Sequence, residues 1–264
     1  MEASAVQPGS QWAEWAYEAI APVYDDFTAH HDYEVWLGNL LPELRRHGLS
    51  GRRLLDVGCG TGKSFLPMLA RGWDVTACDI SPSMLDLARG KAGDAARLTV
   101  ADMRELPAFG EFDLVWALDD AVNYLLSEKE LGDALSGMRA NLAPGGLLMF
   151  DVNTLQTYRT FFAETETVER DGLRLVWRGQ ASSDVAPGSV SEARFEVESA
   201  SGAKGEVETH VHKQRHFPEA EVLATLEASG LRCLDVFGHG HDAVLKQPVD
   251  ELVHAKAVYI AGRA

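Results

Sequence analysis

The stretch LLDVGCGTG, residues 54–62, determines how the rest of this 264-residue chain is interpreted. An apolar run leads directly into a loop that carries glycine at every second position, and a segment with helical spacing follows it. Glycines in such a loop allow positive φ angles and let the backbone approach a ligand without Cβ atoms in the way. The stretch therefore predicts a buried strand, a ligand-binding loop and a helix in succession.

Two nucleotide-binding loops share part of this pattern but differ from it in spacing. A Walker loop needs a glycine five positions before the Gly62-Lys63 pair, and that position holds Val57. The dinucleotide fingerprint is G-x-G-x-x-G, whereas Gly58, Gly60 and Gly62 give G-x-G-x-G, which leaves less room for a pyrophosphate. Both spacings disfavour a nucleotide phosphate as the ligand.

Short apolar runs alternate with helical stretches on both sides of this loop. The predicted strands are 52–57, 73–80, 97–103, 112–118, 147–152, 231–238 and 253–262. The predicted helices are 62–71, 81–90, 127–142 and 218–230. Such alternation is typical of a mostly parallel sheet covered by helices on both faces. The fold class is therefore α/β with a seven-stranded sheet.

Two regions interrupt the alternation. Residues from about 165 to 214 alternate with period two between turn-forming pairs at 171–172, 187–188 and 201–202, which predicts an antiparallel meander of about four strands. Two amphipathic helices, separated near Pro22, are predicted over residues 11–48. The expected domains are an N-terminal helical lid (1–48), a core (49–152 and 216–264) and an inserted β meander (153–215). An insertion there lies above the carboxyl ends of the strands, where ligands bind in open α/β sheets.

The charge and the cysteine content of the chain narrow its function class. Twenty-four basic residues against 40 acidic ones give a net charge of −16. Such a surface repels phosphate backbones and anionic lipids, so we expect neither a nucleic-acid nor a membrane partner. Three scattered cysteines argue against a disulfide framework and for a reducing compartment. With no basic region followed by an apolar run at the N-terminus, we expect a cytoplasmic protein.

The loop and the later strand ends, taken in order along residues 24–151, resemble the class I S-adenosylmethionine-dependent methyltransferases. Asp79 ends the second predicted strand, Ala101-Asp102-Met103 the third and Leu118-Asp119 the fourth, before LAPGGLLMFDV leads into the fifth. The resemblance implies a Rossmann-like fold with S-adenosylmethionine as cofactor and S-adenosylhomocysteine as product. It implies that Asp79 accepts both ribose hydroxyl protons through charge-assisted bonds, that Asp102 binds the adenine amino group, and that Ile80 and Met103 flank the ring.

The segment IAPVYDDFTAHHDYEVW, residues 20–36, resembles the lid of small-molecule members of that family. An aromatic residue such as Tyr24 closes over the cofactor there, and Tyr33 or Trp36 lines the same space. The alternative for Tyr33 and Trp36 is a core contact of an amphipathic helix, and the Cys59 thiol is expected to serve packing. The expected cofactor-binding residues are Tyr24, Tyr33, Trp36, Asp56, Gly58, Cys59, Gly60, Asp79, Ile80, Met84, Asp102, Met103 and Leu118.

Histidines in the last third of the chain raise the question of a metal site. His210 and His212 lie two residues apart on a predicted strand and therefore share a face. His216, His239 and His241 follow, but no cysteine or carboxylate pair at ligand spacing accompanies these histidines. We expect them to be strand and loop residues near an acceptor pocket, and we expect no bound metal.

Methyl transfer from a sulfonium is an in-line displacement, so catalysis is mostly positioning. We expect three residues to face the methyl group: Asp119, Tyr124 and His241. We expect acceptor contacts from Tyr17, Asp120, Asn123, Asn153, Tyr158 and Arg215. The Asp119-Asp120 pair is either an acid/base dyad or a cofactor contact followed by a cap. Arg215 either pairs with an anion of the acceptor or joins the meander to the last helix.

Several acceptors and functions agree with this layout. An insertion of about 50 residues would roof the cleft and favour a compact acceptor, and the layout resembles methyltransferases of amino sugars and of antibiotic precursors. The acidic balance and the Asp119-Asp120 pair favour an amine nitrogen. A hydroxyl acceptor with a histidine base is the alternative. A non-catalytic cofactor-binding module and a nicotinamide dehydrogenase are further hypotheses, the last disfavoured by the loop spacing, and homo-oligomerisation stays open.

Overall fold

The computed structural model describes residues 11–170, 172–199, 208–240 and 243–264. The helices are α1 (Gln11–Phe27), α2 (Tyr33–Arg46), α3 (Leu66–Ala70), α4 (Pro82–Ala92), α5 (Glu128–Ala140), α6 (Leu155–Arg159) and α7 (Glu219–Ala228). The strands are β1 (Arg53–Val57), β2 (Asp74–Asp79), β3 (Ala96–Val100), β4 (Phe112–Ala117), β5 (Leu142–Asn153), β6 (Thr165–Arg170), β7 (Leu173–Gly179), β8 (Val190–Ser199), β9 (Glu208–Arg215), β10 (Leu231–His239), β11 (Leu245–Lys246) and β12 (Lys256–Arg263). Among the described residues, no helix is long and apolar enough to cross a membrane.

The main sheet contains eight strands in the order β11-β10-β12-β5-β4-β1-β2-β3. Strands β5, β4, β1, β2 and β3 are parallel to one another. Strand β12 runs antiparallel to β5, β10 to β12, and β11 to β10. The strand order reverses between β1 and β4: β2 and β3 follow on one side, and β5 and the later strands on the other. In open α/β sheets, ligands bind at the carboxyl ends of the strands at such a switch point. The seven predicted strands are confirmed, and the eighth is β11, which is too short for hydrophobic periodicity to reveal.

Helices cover both faces of the main sheet because the buried strands are apolar on both sides. In β5, Leu147 and Met149 join the cluster formed with α2, α3 and α4. The alternate residues Leu148 and Phe150 join the opposite cluster, formed with α5 and α7. The sheet is therefore the rigid middle layer of three, and its strand ends are fixed relative to one another.

The boundary between the two N-terminal helices differs from the prediction. The expected break near Pro22 is wrong, because this proline lies inside α1 and the break falls at residues 28–32. The second helix begins there because Asp32 caps it. The side chain of Asp32 accepts the backbone N–H groups of Glu34 and Val35 at 3.0 and 3.2 Å.

Packing explains why α1 continues through its proline. A proline inside a helix costs about 3 kcal/mol, but the buried face of α1 extends across Pro22, from Ile20 and Ala21 to Val23. Burial of that face outweighs the local cost of the proline.

Two other helix boundaries also differ from the prediction. The helix after the glycine loop covers only Leu66–Ala70, because the loop takes up the residues before it. The helix predicted over residues 127–142 is capped by the side chain of Ser127, which accepts the N–H of Glu130 at 3.2 Å, but it ends at Ala140 rather than at Leu142. Leu142 already pairs with Phe112 of β4, so the pairing of the sheet ends the helix.

The predicted meander is confirmed as a second, four-stranded sheet, in which β6, β7, β8 and β9 pair antiparallel in sequence order. Its buried face carries Leu175, Trp177, Ala193 and Phe195, which pack in one cluster with residues of α1. The turn predicted at 201–202 lies outside the described residues. Because α1 packs on this sheet and on α4 as well, the second sheet holds α1 over the carboxyl ends of the main sheet.

Two glycines provide a matched test of this packing. A Cβ on Gly179 of β7 would lie 2.2 Å from the backbone carbon and oxygen of Phe162, whereas a Cβ on Gly38 of α2 would meet no atom within 4 Å. We expect Gly179→Ala to lower the free energy of unfolding by about 3 kcal/mol through overpacking. We expect Gly38→Ala to raise it by up to about 1 kcal/mol, since alanine favours a helix. Urea unfolding followed by circular dichroism measures both, and effects of the same sign would contradict the packing described.

Candidate active site

A cavity opens at the carboxyl ends of β1, β2, β3 and β4, beneath α1. It encloses about 870 Å³ of empty space, counting its opening to solvent. Its lining residues are Ala13, Tyr17, Tyr24, Tyr33, Val57, Gly58, Cys59, Gly60, Thr61, Lys63, Ser64, Asp79, Ile80, Ala101, Asp102, Met103, Arg104, Leu118, Asp119, Ala121, Tyr124 and Leu125. The predicted cofactor-binding residues therefore lie together in one cavity, with the exception of Trp36, Asp56 and Met84.

The glycine loop forms one wall of this cavity. Gly58 and Gly60 have φ angles of 74° and 52°, which L side chains rarely adopt. A Cβ on Gly58 would lie 3.0 Å from the Cβ of Ala121 and 3.5 Å from the Cε of Met103. Any side chain at position 58 would thus occupy the space between these walls, so the loop keeps that space available for a ligand.

Asp79, at the end of β2, fixes the loop from the opposite side. Its Oδ2 accepts the N–H of Gly60 at 2.7 Å, and its Oδ1 accepts the N–H of Ser81 at 2.9 Å. Burial raises the pKa of Asp79 above its ordinary value, although these N–H groups act in the opposite direction. An ionised carboxylate has about four acceptor sites, so acceptor capacity remains for the hydroxyl groups of a ligand in the cavity.

Asp102, at the end of β3, is engaged by an arginine that the sequence analysis did not identify. The guanidinium of Arg104 donates to both carboxylate oxygens, from Nε at 2.9 and 3.0 Å and from Nη2 at 2.6 Å. Its backbone N–H donates to Oδ1 as well, at 2.9 Å. Both residues line the cavity. An adenine amino group bound by Asp102 would therefore share these oxygens with Arg104.

The three exceptions, Trp36, Asp56 and Met84, are buried outside the cavity lining. Asp56 accepts the hydroxyl of Ser64 at 2.5 Å beneath the glycine loop, and burial raises its pKa to about 7. Trp36 packs among the core residues of α2 and lies 5.3 Å from the ring of His239, which favours the core-contact alternative. Met84 is fully buried in the cluster under α1. Cys59 does line the cavity, and burial raises the pKa of its thiol well above the ordinary value.

Polar contacts hold the lid on the glycine loop and on α4. The carboxylate of Glu18 in α1 accepts the hydroxyls of Ser81 and Ser83 at 2.7 and 2.5 Å. After the end of α1, the carbonyl of Thr28 accepts a hydrogen bond from the Nζ of Lys63 at 2.5 Å. These contacts place the N-terminal segment across the cavity that the strand ends form.

Tyrosines contribute much of the aromatic surface in this cavity. Tyr17, Tyr24, Tyr33 and Tyr124 line it, out of six tyrosines in the chain. The hydroxyl of Tyr124 lies 2.9 Å from the Nδ1 of His212. Burial lowers the pKa of His212 to about 3, so its imidazole is neutral, and burial raises the pKa of Tyr124, so its hydroxyl stays protonated. The tyrosine is therefore a neutral polar group at the cavity wall.

Asp119 and Asp120 form an unusual turn after β4, with φ angles of 61° and 55°. Non-glycine residues in this region carry backbone strain and persist only where surrounding contacts fix them. Asp151 of β5 accepts the backbone N–H of Asp119 at 2.7 Å and that of Asp120 at 2.8 Å. The Nζ of Lys256 in β12 lies 3.0 Å from a carboxylate oxygen of Asp119, 2.5 Å from one of Asp120 and 3.0 Å from one of Asp151. We call this arrangement the Lys256 cluster.

The charges in the Lys256 cluster shift one another's pKa values. Burial acts to raise the pKa of Asp119, but Lys256 and then His31 outweigh it and hold that pKa well below its ordinary value. Burial raises the pKa of Asp120, and it raises the pKa of Asp151 to about 6. Burial acts to lower the pKa of Lys256, but the three carboxylates hold it well above its ordinary value. At neutral pH the lysine is charged and Asp119 is ionised.

The residues predicted to contact the acceptor form a buried network behind this turn. Asn123 donates to the hydroxyl of Tyr158 at 3.1 Å. Asn153 donates to Gln214 at 2.8 Å, and Gln214 donates in turn to Asp120 at 2.5 Å. These residues are not part of the cavity lining. Their side chains support the turn from below, whereas Tyr17, predicted with them, does line the cavity.

Arg215 joins the second sheet to α7. Its guanidinium pairs with Glu221 at 2.5 and 3.0 Å, which favours the second of the two roles considered for it. His241 lies outside the described residues, so its role stays a prediction. Within the described parts of the chain, no group of three or more histidine, cysteine, aspartate or glutamate side chains could hold a metal ion.

Comparison with known proteins identifies the family. Residues 54–146 match the family of methyltransferase domains, and this range includes the glycine loop and Asp79. A protein of Geobacillus sp. (strain WCH70), named as a methyltransferase, is 31% identical over 229 residues, which cover 83% of this chain and 90% of that relative. The chain belongs to the S-adenosylmethionine-dependent methyltransferases. The class I assignment and the S-adenosylmethionine cofactor implied by the strand-end motifs are thereby confirmed.

Two further similarities cover nearly the whole methyltransferase. The dTDP-3-amino-3,4,6-trideoxy-alpha-D-glucopyranose N,N-dimethyltransferase of Streptomyces venezuelae is 30% identical over 216 residues, which cover 80% of this chain and 90% of that relative. Among solved structures, Streptomyces venezuelae DesVI aligns with a TM-score of 0.72 at 26% identity, over 92% of this chain and 98% of that one. Both similarities cover more of the chain than the residues 54–146 that match the methyltransferase domain.

Four charged residues of the site are not predicted from the sequence: His31, Arg104, Asp151 and Lys256. Two of them carried a usable signal. Asp151 ends an otherwise apolar predicted strand, and Lys256 stands within another. A buried charge needs a partner, so an acid and a base in two neighbouring buried strands favour an ion pair. His31 and Arg104 lie in irregular segments, where periodicity gives no indication of contacts.

The Lys256 cluster predicts how the stability of the methyltransferase depends on pH. Lys256→Met leaves three buried carboxylates without their cation, which we expect to cost about 3–5 kcal/mol at pH 7. Burial then raises the pKa of each carboxyl above its unfolded value, so the variant binds more protons folded than unfolded. Its deficit relative to wild type should therefore shrink as the pH falls from about 8 to about 5. Thermal unfolding across this range measures the difference.

Lys213→Met is the matched control for that variant. The Nζ of Lys213 pairs with Glu192 at 2.7 Å on the exposed side of the second sheet, and exposed pairs contribute about 0–1 kcal/mol. We expect a small loss of stability, without the recovery at low pH. A deficit in Lys256→Met that grew on acidification would contradict the charge assignment.

Proposed function

We propose that this methyltransferase transfers the methyl group of S-adenosylmethionine to an amine nitrogen of a small molecule, of the amino-sugar or natural-product-precursor class. The observation that carries the proposal is the carboxylate of Asp119, held ionised in a cavity that four tyrosines line. A carboxylate beside aromatic faces attracts cations such as a sulfonium or an ammonium group. A neutral hydroxyl acceptor gains much less from these surroundings.

The cavity has the groups that the cofactor requires. Gly58 and Gly60 leave open space at the loop, and Asp79 has acceptor capacity for the two ribose hydroxyls. We infer that Asp102 and Met103 contact the adenine and that Leu118 lies beneath the methionine part. S-adenosylmethionine supplies a methyl group on a positively charged sulfur, which a nucleophile can displace.

The protein then contributes mainly by positioning the acceptor. An amine attacks through a neutral lone pair, so it needs no base in the displacement itself, whereas an alcohol benefits from one. Holding the nitrogen in line with the methyl group and the sulfur supplies most of the rate enhancement. The turn that carries Asp119 is rigid because the Lys256 cluster fixes its backbone. It is suited to hold a substrate nitrogen at a constant position.

Enclosure of the cavity supports a compact acceptor. Helix α1 lies over the strand ends, and the second sheet packs against α1 from outside. The more a site is enclosed, the more water it excludes, and this strengthens the electrostatic interactions inside it. The Streptomyces venezuelae relative is named as an N,N-dimethyltransferase of a nucleotide-linked amino sugar. That name supports an amino sugar as the acceptor proposed for this chain.

The cofactor assignment predicts the effect of one substitution. Asp79→Ala removes the acceptors for the ribose hydroxyls and also releases the N–H groups of Gly60 and Ser81. Because each charge-assisted bond contributes about 1.5–3 kcal/mol, we expect affinity for S-adenosylhomocysteine to fall by about 100-fold. Isothermal titration measures this, with NAD as a ligand that should not bind.

Asp74→Ala is the control for that variant, because Asp74 begins the same strand at the opposite edge of the sheet. Its side chain is 57% exposed and pairs with Arg97. We expect unchanged affinity for S-adenosylhomocysteine. Equal affinities of wild type and Asp79→Ala would refute the ribose role assigned to Asp79.

The acceptor class is tested with compounds that differ at a single atom. Nucleotide-linked amino sugars are incubated with enzyme and S-adenosylmethionine beside counterparts in which a hydroxyl replaces the amine. We expect kcat/KM to be at least about tenfold higher for the amine, since it needs no base during attack. Release of S-adenosylhomocysteine gives the rate, and mass spectrometry gives the number of methyl groups added. Faster methylation of the hydroxyl compounds would favour the oxygen alternative.

A further inference from the structure

A lysine in the lining of the cavity is held by neutral oxygens alone. Lys63 follows the glycine loop, and its Nζ donates to the carbonyl oxygen of Thr28 at 2.5 Å and to the hydroxyl oxygen of Thr28 at 3.0 Å. Within the described parts of the chain, Lys63 forms no ion pair with a carboxylate. An ammonium group has three N–H donors, so one of them remains available for a ligand.

The charges of the cavity lining make Lys63 the place where an anion can bind. The described lining residues include three carboxylates, those of Asp79, Asp102 and Asp119, and two cations, Lys63 and Arg104. The guanidinium of Arg104 already pairs with Asp102 at 2.6 Å. An anionic group of a ligand is therefore attracted at Lys63, whereas elsewhere in the lining it meets a carboxylate or a paired guanidinium.

S-adenosylmethionine carries one anionic group, the α-carboxylate of its methionine part. An α-carboxyl group is ionised at neutral pH, since its ordinary pKa is about 3.5. Lys63 follows the loop after β1, which lies next to β4, whereas Asp102 follows β3 at the edge of the sheet. Asp119, which follows β4, is one of the carboxylates whose charge acts on Lys63. Lys63 is therefore near the methionine end of the cavity and away from the adenine end.

We propose that Lys63 binds the α-carboxylate of S-adenosylmethionine and makes the site specific for the intact amino-acid part of the cofactor. This inference rests on the orientation of the cofactor given in the proposed function, and the identity of the acceptor does not affect it. Burial lowers the pKa of Lys63 below its ordinary value, although Asp25 and then Asp119 act in the opposite direction. A ligand carboxylate beside the ammonium group compensates for the solvation that burial removes.

The contact with Thr28 prepares the lysine for this task. Thr28 follows α1, and its hydroxyl donates to the carbonyl oxygen of Tyr24 at 2.8 Å. The Nζ of Lys63 is thus fastened to the end of the first lid helix by two of its three donors. A lysine side chain is flexible, so fixing its end before binding reduces the entropy that the ligand contact costs.

The experiment compares two ligands that differ only in the carboxylate. S-adenosylhomocysteine and its decarboxylated counterpart, the corresponding thiopropylamine, are titrated calorimetrically into wild type and Lys63→Met. We expect Lys63→Met to bind S-adenosylhomocysteine about 10- to 100-fold more weakly, as for the loss of a charge-assisted hydrogen bond. Its affinity for the decarboxylated ligand should not fall, because that ligand has no anion to face the missing cation. The ratio of the two affinities should therefore fall by at least about tenfold.

Lys91→Met is the matched control for Lys63→Met. Lys91 also connects the glycine loop with the lid, because its Nζ donates to the carbonyl oxygen of Thr61 at 3.1 Å and pairs with Asp25 of α1. It is not part of the cavity lining, so we expect the affinity ratio of wild type. Lys63→Arg keeps the positive charge and should keep most of that ratio. A merely structural lysine would instead weaken both ligands equally when replaced by methionine.

The outcomes separate this inference from the proposed function. An equal loss of affinity for both ligands in Lys63→Met, or no loss for either, overturns the carboxylate role of Lys63. An unchanged ratio together with a raised KM for nucleotide-linked acceptors also overturns it and assigns the lysine to an acceptor phosphate. Wild type that binds neither ligand overturns the orientation of the cofactor and the role of Lys63 together. Preference for hydroxyl acceptors overturns the amine acceptor and leaves the role of Lys63 intact.

Discussion

The ion cluster of Lys256 with three aspartates is the interaction on which the active site depends. It fixes two consecutive left-handed residues, Asp119 and Asp120, at the end of β4, a conformation that carries strain on its own. The lysine arrives from β12, which runs antiparallel beside β5 and places residue 256 opposite Asn153. Asp151 of β5 accepts both N–H groups of the turn. Strand β12 therefore holds the turn at Asp119 and Asp120 as well as completing the sheet, although it is far from the glycine loop in sequence.

The N-terminal lid lies on the same edge of the main sheet, but partly exposed polar contacts connect it to that edge. Asp25 of α1 accepts the hydroxyl of Thr61 in the glycine loop at 2.6 Å and also pairs with Lys91 of α4. The side chains of Asp25 and Lys91 remain 43% and 31% exposed, and pairs in water contribute about 0–1 kcal/mol each. The Asp25–Lys91 pair therefore adds little to the stability of the lid. The apolar packing of α1 on the second sheet holds it in place.

Sequence alone predicted those parts of the site that follow from local pattern. The glycine loop predicted a ligand site at Gly58, and the resemblance of the strand ends to methyltransferase motifs implied the role of Asp79. Lys256 was missed because its partners come from other strands, and no local pattern records which strands become neighbours. The predicted helix break near Pro22 is wrong because helix propensity is a local property, whereas the packing of α1 continues the helix through the proline. Asn123, predicted to contact the acceptor, donates to the backbone carbonyl of Arg215 at 2.8 Å, and most side-chain hydrogen bonds go to backbone or water.

The direction of charge movement in methyl transfer to an amine shows what the Lys256 cluster can and cannot contribute to the rate. Attack of a neutral amine on the sulfonium moves one positive charge from sulfur to nitrogen, over a distance of a few ångströms, and creates no new charge. A carboxylate near both atoms, as proposed for Asp119, stabilises the reactants, the transition state and the products to a similar extent. Such uniform binding lowers KM more than it raises kcat. The rate enhancement must then come from alignment of the nitrogen, and a rigid turn is suited to that task.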